Sequence, residues 1–170
     1  AGEYPGTGGH GESNLGNWIT DVMRWKTGAQ IAFHNSRGIR ADIAAGPVKR
    51  ADIFNMSPFH NSLVVFSLSG QQIKTALEYD VERGWDRLQV SGLRYRYYPK
   101  GERPYGKRVD YIEIDGEVIE TRGTLLRPQK VYTVVSNDYL VGQAEDKYFG
   151  FPLAEIRDTG FSLNQTLMEW

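Results

Sequence analysis

The spacing of hydrophobic positions predicts an amphipathic helix near the start of the chain. Within Glu12–Thr27 the apolar residues recur every three or four positions, so they share one face of a helix. Ser13 or Asn14 can cap its first turn, and Gly28 is placed to end it in a left-handed conformation. Gly16 costs about 1 kcal/mol relative to alanine inside a helix, so we expect a close neighbour or a ligand there. The apolar face holds Leu15, Trp18, Ile19, Val22 and Met23.

Two later helices are predicted from capping boxes, in which a serine and a glutamine three positions further on bond each other's backbone N–H groups. Ser69 and Gln72 open a helix that Gly84 ends. Ser162 and Gln165 open another, and the sequence stops inside it, so we expect the chain to be a fragment.

Apolar and alternating runs predict the strands and one further, short helix. Runs rich in β-branched and aromatic residues are typical of buried strands, whereas the alternation in Gln89–Tyr98 is typical of a half-buried strand. Asp115-Gly116 is typical of a hairpin turn. The other predicted strands are Ile31–Phe33, Leu63–Leu68, Val109–Ile114 and Val131–Ser136, and the short helix is Lys49–Met56.

Length and composition limit the classes of protein that need to be considered. The 170 residues are enough for one domain with a substantial core. A formal net charge of −1 gives no argument for nucleic acid or an anionic membrane, and no apolar run approaches the roughly 18 residues of a membrane helix. Cysteine is absent, which excludes disulfides, cysteine-ligated zinc and a cysteine nucleophile. We expect a single domain over residues 12–170, and a linker, a cut end or a cloning remnant over residues 1–11.

No complete active site is visible in the sequence. The three histidines, His10, His34 and His60, lack the spacing of metal ligands. The G-x-S-x-G, P-loop and G-x-G-x-x-G motifs are absent, and carboxylates occur only as scattered residues. Binding is therefore better supported than catalysis.

Polar turns next to strands supply the candidate binding residues, because a strand holds such a loop rigidly. Arg37 and Arg40 follow the strand Ile31–Phe33 and would suit an anion or a carboxylate, although a β-turn with two solvated arginines is an alternative. Phe59 and Tyr139 also border strands, and two such rings could stack on a planar base. The alternative is that each ring folds back over the edge of the core.

Several motifs, taken in order, resemble the C-terminal domain of the 5′-nucleotidase family, which includes UDP-sugar hydrolases and 2′,3′-cyclic-nucleotide phosphodiesterases. They cover roughly residues 12–150, and the ordered set is specific although each motif alone is weak. The motifs are Glu12–Asn17, Asn35–Arg40, Pro58–Asn61, Leu68–Gly70, Leu88–Gly92 and Tyr132–Val134 leading to Asn137–Leu140.

The resemblance implies an α+β fold of mixed β-sheets with flanking helices, layered α/β/β/α as in those domains. It implies the substrate-binding domain of a two-domain, metal-dependent nucleotide phosphohydrolase that is secreted, periplasmic or on the cell surface. The N-terminal metallophosphoesterase domain, absent from this chain, would hold the divalent metal ions and the catalytic His/Asp pair. This chain would then carry no cofactor and no catalytic residue, and its partners would be that domain and a nucleoside or nucleotide.

The resemblance also assigns roles at matching positions. Arg40 would face phosphate or sugar oxygens, and the rings of Phe59 and Tyr139 would stack on the base. Asn61 would hydrogen-bond the base, and Asp146 would hold ribose hydroxyls. The full set of implied substrate-binding residues is Asn35, Arg37, Arg40, Phe59, Asn61, Gly92, Tyr139 and Asp146.

Three departures from the family's pattern bear on this site. Ser36 and Arg37 replace two glycines that allow close backbone approach. Gly142–Asp146 is one residue longer than the usual Asn-Gly-Gly-Asp, and Gly11 stands where an arginine is usual. Two alternatives therefore stay open, a domain of a related sulfur-oxidation thiohydrolase and a free-standing, non-catalytic binding or interaction module.

Overall fold

The computed structural model describes residues 2–3 and 12–170, which contain five helices and ten strands, six of the strands following one another without an intervening helix. The helices are α1 Asn14–Thr27, α2 Arg50–Met56, α3 Gly70–Arg83, α4 Asp138–Gly142 and α5 Leu163–Glu169. The strands are β1 Gly2–Glu3, β2 Ile31–Asn35, β3 Ser62–Ser69, β4 Leu88–Ser91, β5 Leu93–Tyr97, β6 Val109–Ile114, β7 Glu117–Thr121, β8 Thr124–Leu125, β9 Val131–Asn137 and β10 Arg157–Ser162. A 3₁₀ turn covers Ser36–Gly38, and a π-helix covers Ala144–Tyr148.

The strands form two sheets of different kinds. One has the order β1-β5-β6-β7-β8 and is antiparallel throughout. The other has the order β10-β3-β9-β2-β4 and is mixed, because β2 and β9 pair in parallel with Ile31 opposite Val134. The linker prediction for residues 1–11 falls mostly outside the described residues, and β1 pairs with β5 at the edge of the antiparallel sheet.

Helices cover the mixed sheet on one face, and the antiparallel sheet packs towards the other. Ile19 and Met23 of α1 pack on Ala32 and Val135, together with apolar residues of α2 and α5. On the opposite face, the apolar residues of α3 join strands of both sheets in one core cluster. The predicted fold of mixed sheet and flanking helices is therefore confirmed, with the added detail that α3 contacts both sheets.

The two long helices begin and end where local signals place them. In α1 the Ser13 hydroxyl accepts from the Gly16 N–H at 2.9 Å, and Ser69 and Gln72 exchange the predicted pair of bonds at the start of α3. The close neighbour expected at Gly16 is the buried side chain of Gln89, whose Oε1 would lie 2.0 Å from an added Cβ. That oxygen accepts from Ser13, so the contact ties α1 to β4.

The second predicted capping box is wrong. The Ser162 side chain makes no capping bond, although Ser162 ends β10 in the same way that Ser69 ends β3 and caps α3. Helix α5 is instead anchored from outside: the Leu163 N–H donates to the Asn61 carbonyl at 2.9 Å, and Asn164 Nδ2 donates to the Ser57 carbonyl at 2.8 Å.

The single strand predicted over Gln89–Tyr98 is also wrong, because Gly92 divides it between two sheets. Strand β4 belongs to the mixed sheet and β5 to the antiparallel one. Gly92 has a φ of 80°, a conformation that L side chains rarely adopt, and an added Cβ would lie 1.9 Å from the Gln30 carbonyl oxygen. The chain therefore needs glycine at the point where it passes from one sheet to the other.

We expect Gly92→Ala to destabilise the fold more than Gly123→Ala. Gly123 has nearly the same φ, 82°, but nothing lies within 4 Å of its added Cβ. Both variants should lose about 1–2 kcal/mol from the left-handed conformation. Gly92→Ala should lose about 1–3 kcal/mol more from overpacking against fixed backbone. Urea unfolding monitored by circular dichroism measures both, and equal losses would contradict this account of the sheet crossing.

Candidate ligand-binding cleft

The mixed sheet brings four loops to one of its edges. Strands β2 and β9 are parallel, so their carboxyl ends, Asn35 and Asn137, lie at the same edge. Strands β3 and β4 are antiparallel to them, with Leu63 opposite Asn137 and Leu88 opposite Asn35. The amino ends of β3 and β4 therefore lie at that edge as well, and the loops before them meet the loops that follow β2 and β9.

A cleft of about 470 Å³ opens between these loops. All four loops contribute to its lining, together with the π-helix that follows α4. The lining residues are Asn35, Arg37, Gly38, Arg40, Phe59, Asn61, Trp85, Asp86, Tyr139, Lys147 and Tyr148.

Six of the eight predicted site residues lie together in this cleft: Asn35, Arg37, Arg40, Phe59, Asn61 and Tyr139. Gly92 lines a separate cleft of about 370 Å³ at the sheet crossing. Asp146 is exposed, and its backbone carbonyl accepts from the Tyr79 hydroxyl at 2.8 Å. Ligand contact by Gly92 and Asp146 stays a prediction.

A larger cleft of about 570 Å³ lies on the antiparallel sheet, but it has fewer features of a binding site. Its lining includes Arg94, Tyr111 and Glu113 and none of the predicted residues. The smaller cleft is favoured because it combines converging loops, exposed rings and cations that have no ion-pair partner among the described residues.

The predicted set omits five lining residues, namely Gly38, which lies inside the Asn35–Arg40 motif, and Trp85, Asp86, Lys147 and Tyr148. Trp85 and Asp86 lie just before β4, as Phe59 lies just before β3, so the same signal of an aromatic residue in a polar turn beside a strand was present. Lys147 and Tyr148 belong to the π-helix, a turn that holds one residue more than an α-helical turn. Such a turn can accommodate the residue by which Gly142–Asp146 is longer than the family's usual Asn-Gly-Gly-Asp.

Three aromatic rings in the cleft remain substantially exposed. Phe59, Trp85 and Tyr139 show between 40% and 45% of their surface to solvent, and none of them belongs to either core cluster. Arg40 lies over the Phe59 ring at 6.0 Å, and Arg37 lies over the Trp85 ring at 5.3 Å. Guanidinium groups that stack on rings keep their donors available at the ring edges.

The cleft is electrostatically positive. Arg37, Arg40 and Lys147 line it, and none forms an ion pair with a carboxylate within the described part of the chain. Among the residues that the structure describes, the carboxylate in the lining is that of Asp86. Unpaired cations in a concave site attract anions more strongly than exposed surface charges do.

A buried ion network holds the loop that carries Trp85 and Asp86. The fully buried Asp80 carboxylate accepts from Arg83 at 2.6 Å, from Arg87 at 2.5 Å and from the Leu88 N–H at 2.9 Å. Arg83 also donates to the carbonyls of Asp86 and Lys147, so it links two walls of the cleft.

His34 lies beneath the cleft as a neutral side chain. Asn137 Oδ1 accepts from the Leu140 N–H at 2.7 Å, which orients the amide so that Nδ2 donates to His34 Nδ1 at 2.8 Å. The proton of the neutral imidazole is therefore assigned to Nε2. Burial lowers the pKa of His34 to about 4. A Cβ on Gly38 would lie 2.7 Å from the imidazole Cε1, which explains the glycine that ends the 3₁₀ turn.

The described residues contain no group of three or more His, Cys, Asp or Glu side chains that could hold a metal ion. Within the same residues, no helix is both long and apolar enough to cross a membrane.

Comparisons with known proteins identify the family. The family model for the 5′-nucleotidase C-terminal domain matches residues 4–151. The trifunctional nucleotide phosphoesterase protein YfkN of Bacillus subtilis is 37% identical over 148 residues, which are 82% of this chain and 10% of that protein. Cell wall protein Lmo0130 of Listeria monocytogenes is 32% identical over 157 residues, 85% of this chain and 19% of that protein.

The solved structures agree with this assignment. The 5′-nucleotidase precursor of Thermus thermophilus has a TM-score of 0.76 and 38% identity, over 93% of this chain and 32% of that one. The chain therefore belongs to the family of 5′-nucleotidase C-terminal domains. It spans only a tenth to a third of the length of these three proteins.

We expect His34 to make the fold acid-sensitive. The unfolded chain takes up a proton near the ordinary histidine pKa of 6.5, whereas the folded protein does so only near pH 4. Stability is therefore fully present above pH 6.5 and is lost as the pH falls towards 4, by up to about 3 kcal/mol. Urea unfolding at several pH values should show a flatter dependence for His34→Gln over this window.

The exposed His60→Gln variant serves as the control for loss of a histidine. If wild type and His34→Gln lose stability in parallel between pH 7 and 4, the buried neutral state of His34 is contradicted.

Proposed function

We propose that this chain is the nucleoside- and nucleotide-binding domain of a two-domain, metal-dependent phosphohydrolase of the 5′-nucleotidase kind. The observation that carries the proposal is the presence of Phe59 and Tyr139, both exposed and outside the core, in one cleft with unpaired cations. Two rings offer a stacking surface for a planar base, and cations offer partners for phosphate oxygens.

The lining residues divide the ligand into three parts. The base would stack between Phe59 and Tyr139, with the Asn61 amide at its polar edge. Arg40, stacked over Phe59, would reach phosphate or sugar oxygens with the free edge of its guanidinium group. Asn35 lies at the end of β2, and its side-chain oxygen accepts a hydrogen bond from Asn137 Nδ2. It would contribute a further polar contact to the ligand.

Catalysis would belong to another domain of the protein. Divalent metal ions and the catalytic His/Asp pair are expected in an N-terminal metallophosphoesterase domain, so this chain alone should not hydrolyse nucleotides. The much greater length of the matching phosphoesterase supports this division of roles. An extracytoplasmic location, in the periplasm, on the surface or secreted, is proposed with the support of the Listeria relative, which is named a cell wall protein.

We expect the isolated chain to bind adenosine and AMP, and each of Phe59→Ala and Tyr139→Ala to weaken binding by about tenfold or more. Base–aromatic stacking contributes roughly 1–3 kcal/mol per ring, which corresponds to that change in Kd. Isothermal titration calorimetry measures the affinities. AMP should bind more tightly than adenosine, and its advantage should shrink as salt screens the cationic lining.

Tyr105→Ala is the matched control, since Tyr105 is an exposed ring on the hairpin loop of the antiparallel sheet and does not line the cleft. The proposal would be contradicted if the folded chain gave no heat of binding with millimolar adenosine or AMP. The thiohydrolase domain and the free-standing interaction module would then become the leading hypotheses.

A further inference from the structure

One carboxylate of the cleft has no role in the function proposed so far. Asp86 is 94% buried and lines the cleft beside Arg37 and Tyr148. We infer that Asp86 is the group that binds the sugar hydroxyls of the ligand, the role that the family resemblance gives to Asp146. This inference rests on the proposed nucleoside-binding function.

Neighbouring donors fix the Asp86 carboxylate but leave it able to accept more hydrogen bonds. Oδ1 accepts from the Arg37 N–H at 2.7 Å and from the Ser36 hydroxyl at 3.4 Å, and Oδ2 accepts from the Tyr148 hydroxyl at 2.7 Å. Two carboxylate oxygens offer about four lone-pair directions, and these three donors leave about one of them without a protein partner. Hydrogen bonds to an ionised acceptor are roughly twice as strong as neutral ones.

The protonation of Tyr148 supports this arrangement. Burial and the hydrogen bond to Asp86 raise the pKa of the Tyr148 hydroxyl, so it remains a donor at neutral pH. Asp86 itself forms no ion pair in the part of the chain that the structure describes. Its negative charge is therefore held by neutral donors and is not neutralised by a side-chain cation.

The backbone of Asp86 is held in a conformation that is costly for an ordinary residue. Its φ is 47°, in the left-handed region, and Arg83 donates to its carbonyl at 2.8 Å. The guanidinium groups of Arg37 and Arg83 both lie over the ring of the preceding Trp85, at 5.3 and 5.5 Å from its centroid. Such conformations persist where the surroundings fix them, and they cluster at functional sites.

The acidic residues of the π-helix are placed differently. Glu145 and Asp146 are exposed, and neither lines the cleft, whereas the next two residues, Lys147 and Tyr148, do. The π-turn thus presents a cation and a hydroxyl donor to the cleft at the segment where the family carries its acid. Asp86, from the loop before β4, supplies the carboxylate.

The test compares adenosine with 2′,3′-dideoxyadenosine by calorimetry on the whole 170-residue chain. Wild type should bind adenosine at least about tenfold more tightly, because the charged acceptor loses its partners in the dideoxy compound. Asp86→Asn should remove most of this preference while leaving dideoxyadenosine affinity nearly unchanged. Asparagine tolerates the left-handed backbone and keeps an oxygen for the Arg37 N–H.

Two further variants complete the design. Asp146→Asn should keep the preference for adenosine, and Glu102→Gln, an exposed acid on the hairpin loop of the antiparallel sheet, controls for loss of one negative charge. If Asp86→Asn does not fold, as judged by circular dichroism, Asp86→Gly replaces it, since glycine adopts the same φ without strain.

The outcomes separate this inference from the proposed function. A preference that survives in Asp86→Asn overturns the inference, and its loss in Asp146→Asn would assign the role to Asp146. If Phe59→Ala weakens the binding of adenosine, the nucleoside site is still supported, whichever result the Asp86→Asn and Asp146→Asn variants give. Wild type that binds neither compound overturns both the function and the inference.

Discussion

The parallel pairing of β2 with β9, flanked by antiparallel β3 and β4, determines where the candidate binding cleft of this domain forms. Parallel neighbours place their carboxyl ends at one edge, and antiparallel neighbours add their amino ends to it. Loops that are distant in sequence, from Asn35 to Tyr148, therefore meet around one cleft. The rest of the fold, including the helices on one face and α3 between strands of both sheets, keeps this sheet rigid beneath the cleft.

Buried polar groups transmit that rigidity to the cleft walls. Asp80 and Arg83 bind the loop before β4, while Asn137 orients His34 below the floor. Hydrogen bonds to Asp80, to the terminal nitrogens of Arg83 and to His34 Nδ1 offset part of the cost of removing these groups from water, whereas Arg83 Nε and His34 Nε2 have no partner among the described residues. The exposed rings and cations above can then keep their positions before a ligand arrives, which lowers the entropy cost of binding.

Local signals predicted the elements whose determinants are local. The caps of α1 and α3 and the strand β9 follow from a few adjacent residues, whereas the capping box at Ser162 did not form and contacts with Asn61 and Ser57 anchor α5 instead. The break at Gly92 was missed because the alternating pattern continues across it, and only the two sheets reveal it. Trp85 and Asp86 were missed for a similar reason, since strand pairing alone brings their loop to the cleft.

We propose that four strand ends of the mixed sheet form one nucleotide-binding cleft, and an NMR titration of the ¹⁵N-labelled chain with AMP can test this claim residue by residue. We predict chemical-shift changes confined to the loops that line the cleft, at Asn35–Arg40, Phe59–Asn61, Trp85–Asp86 and the segment from Tyr139 to Tyr148. The indole N–H of Trp85 gives an additional side-chain signal. Changes centred on Arg94, Tyr111 and Glu113, or no saturable changes, would contradict the claim.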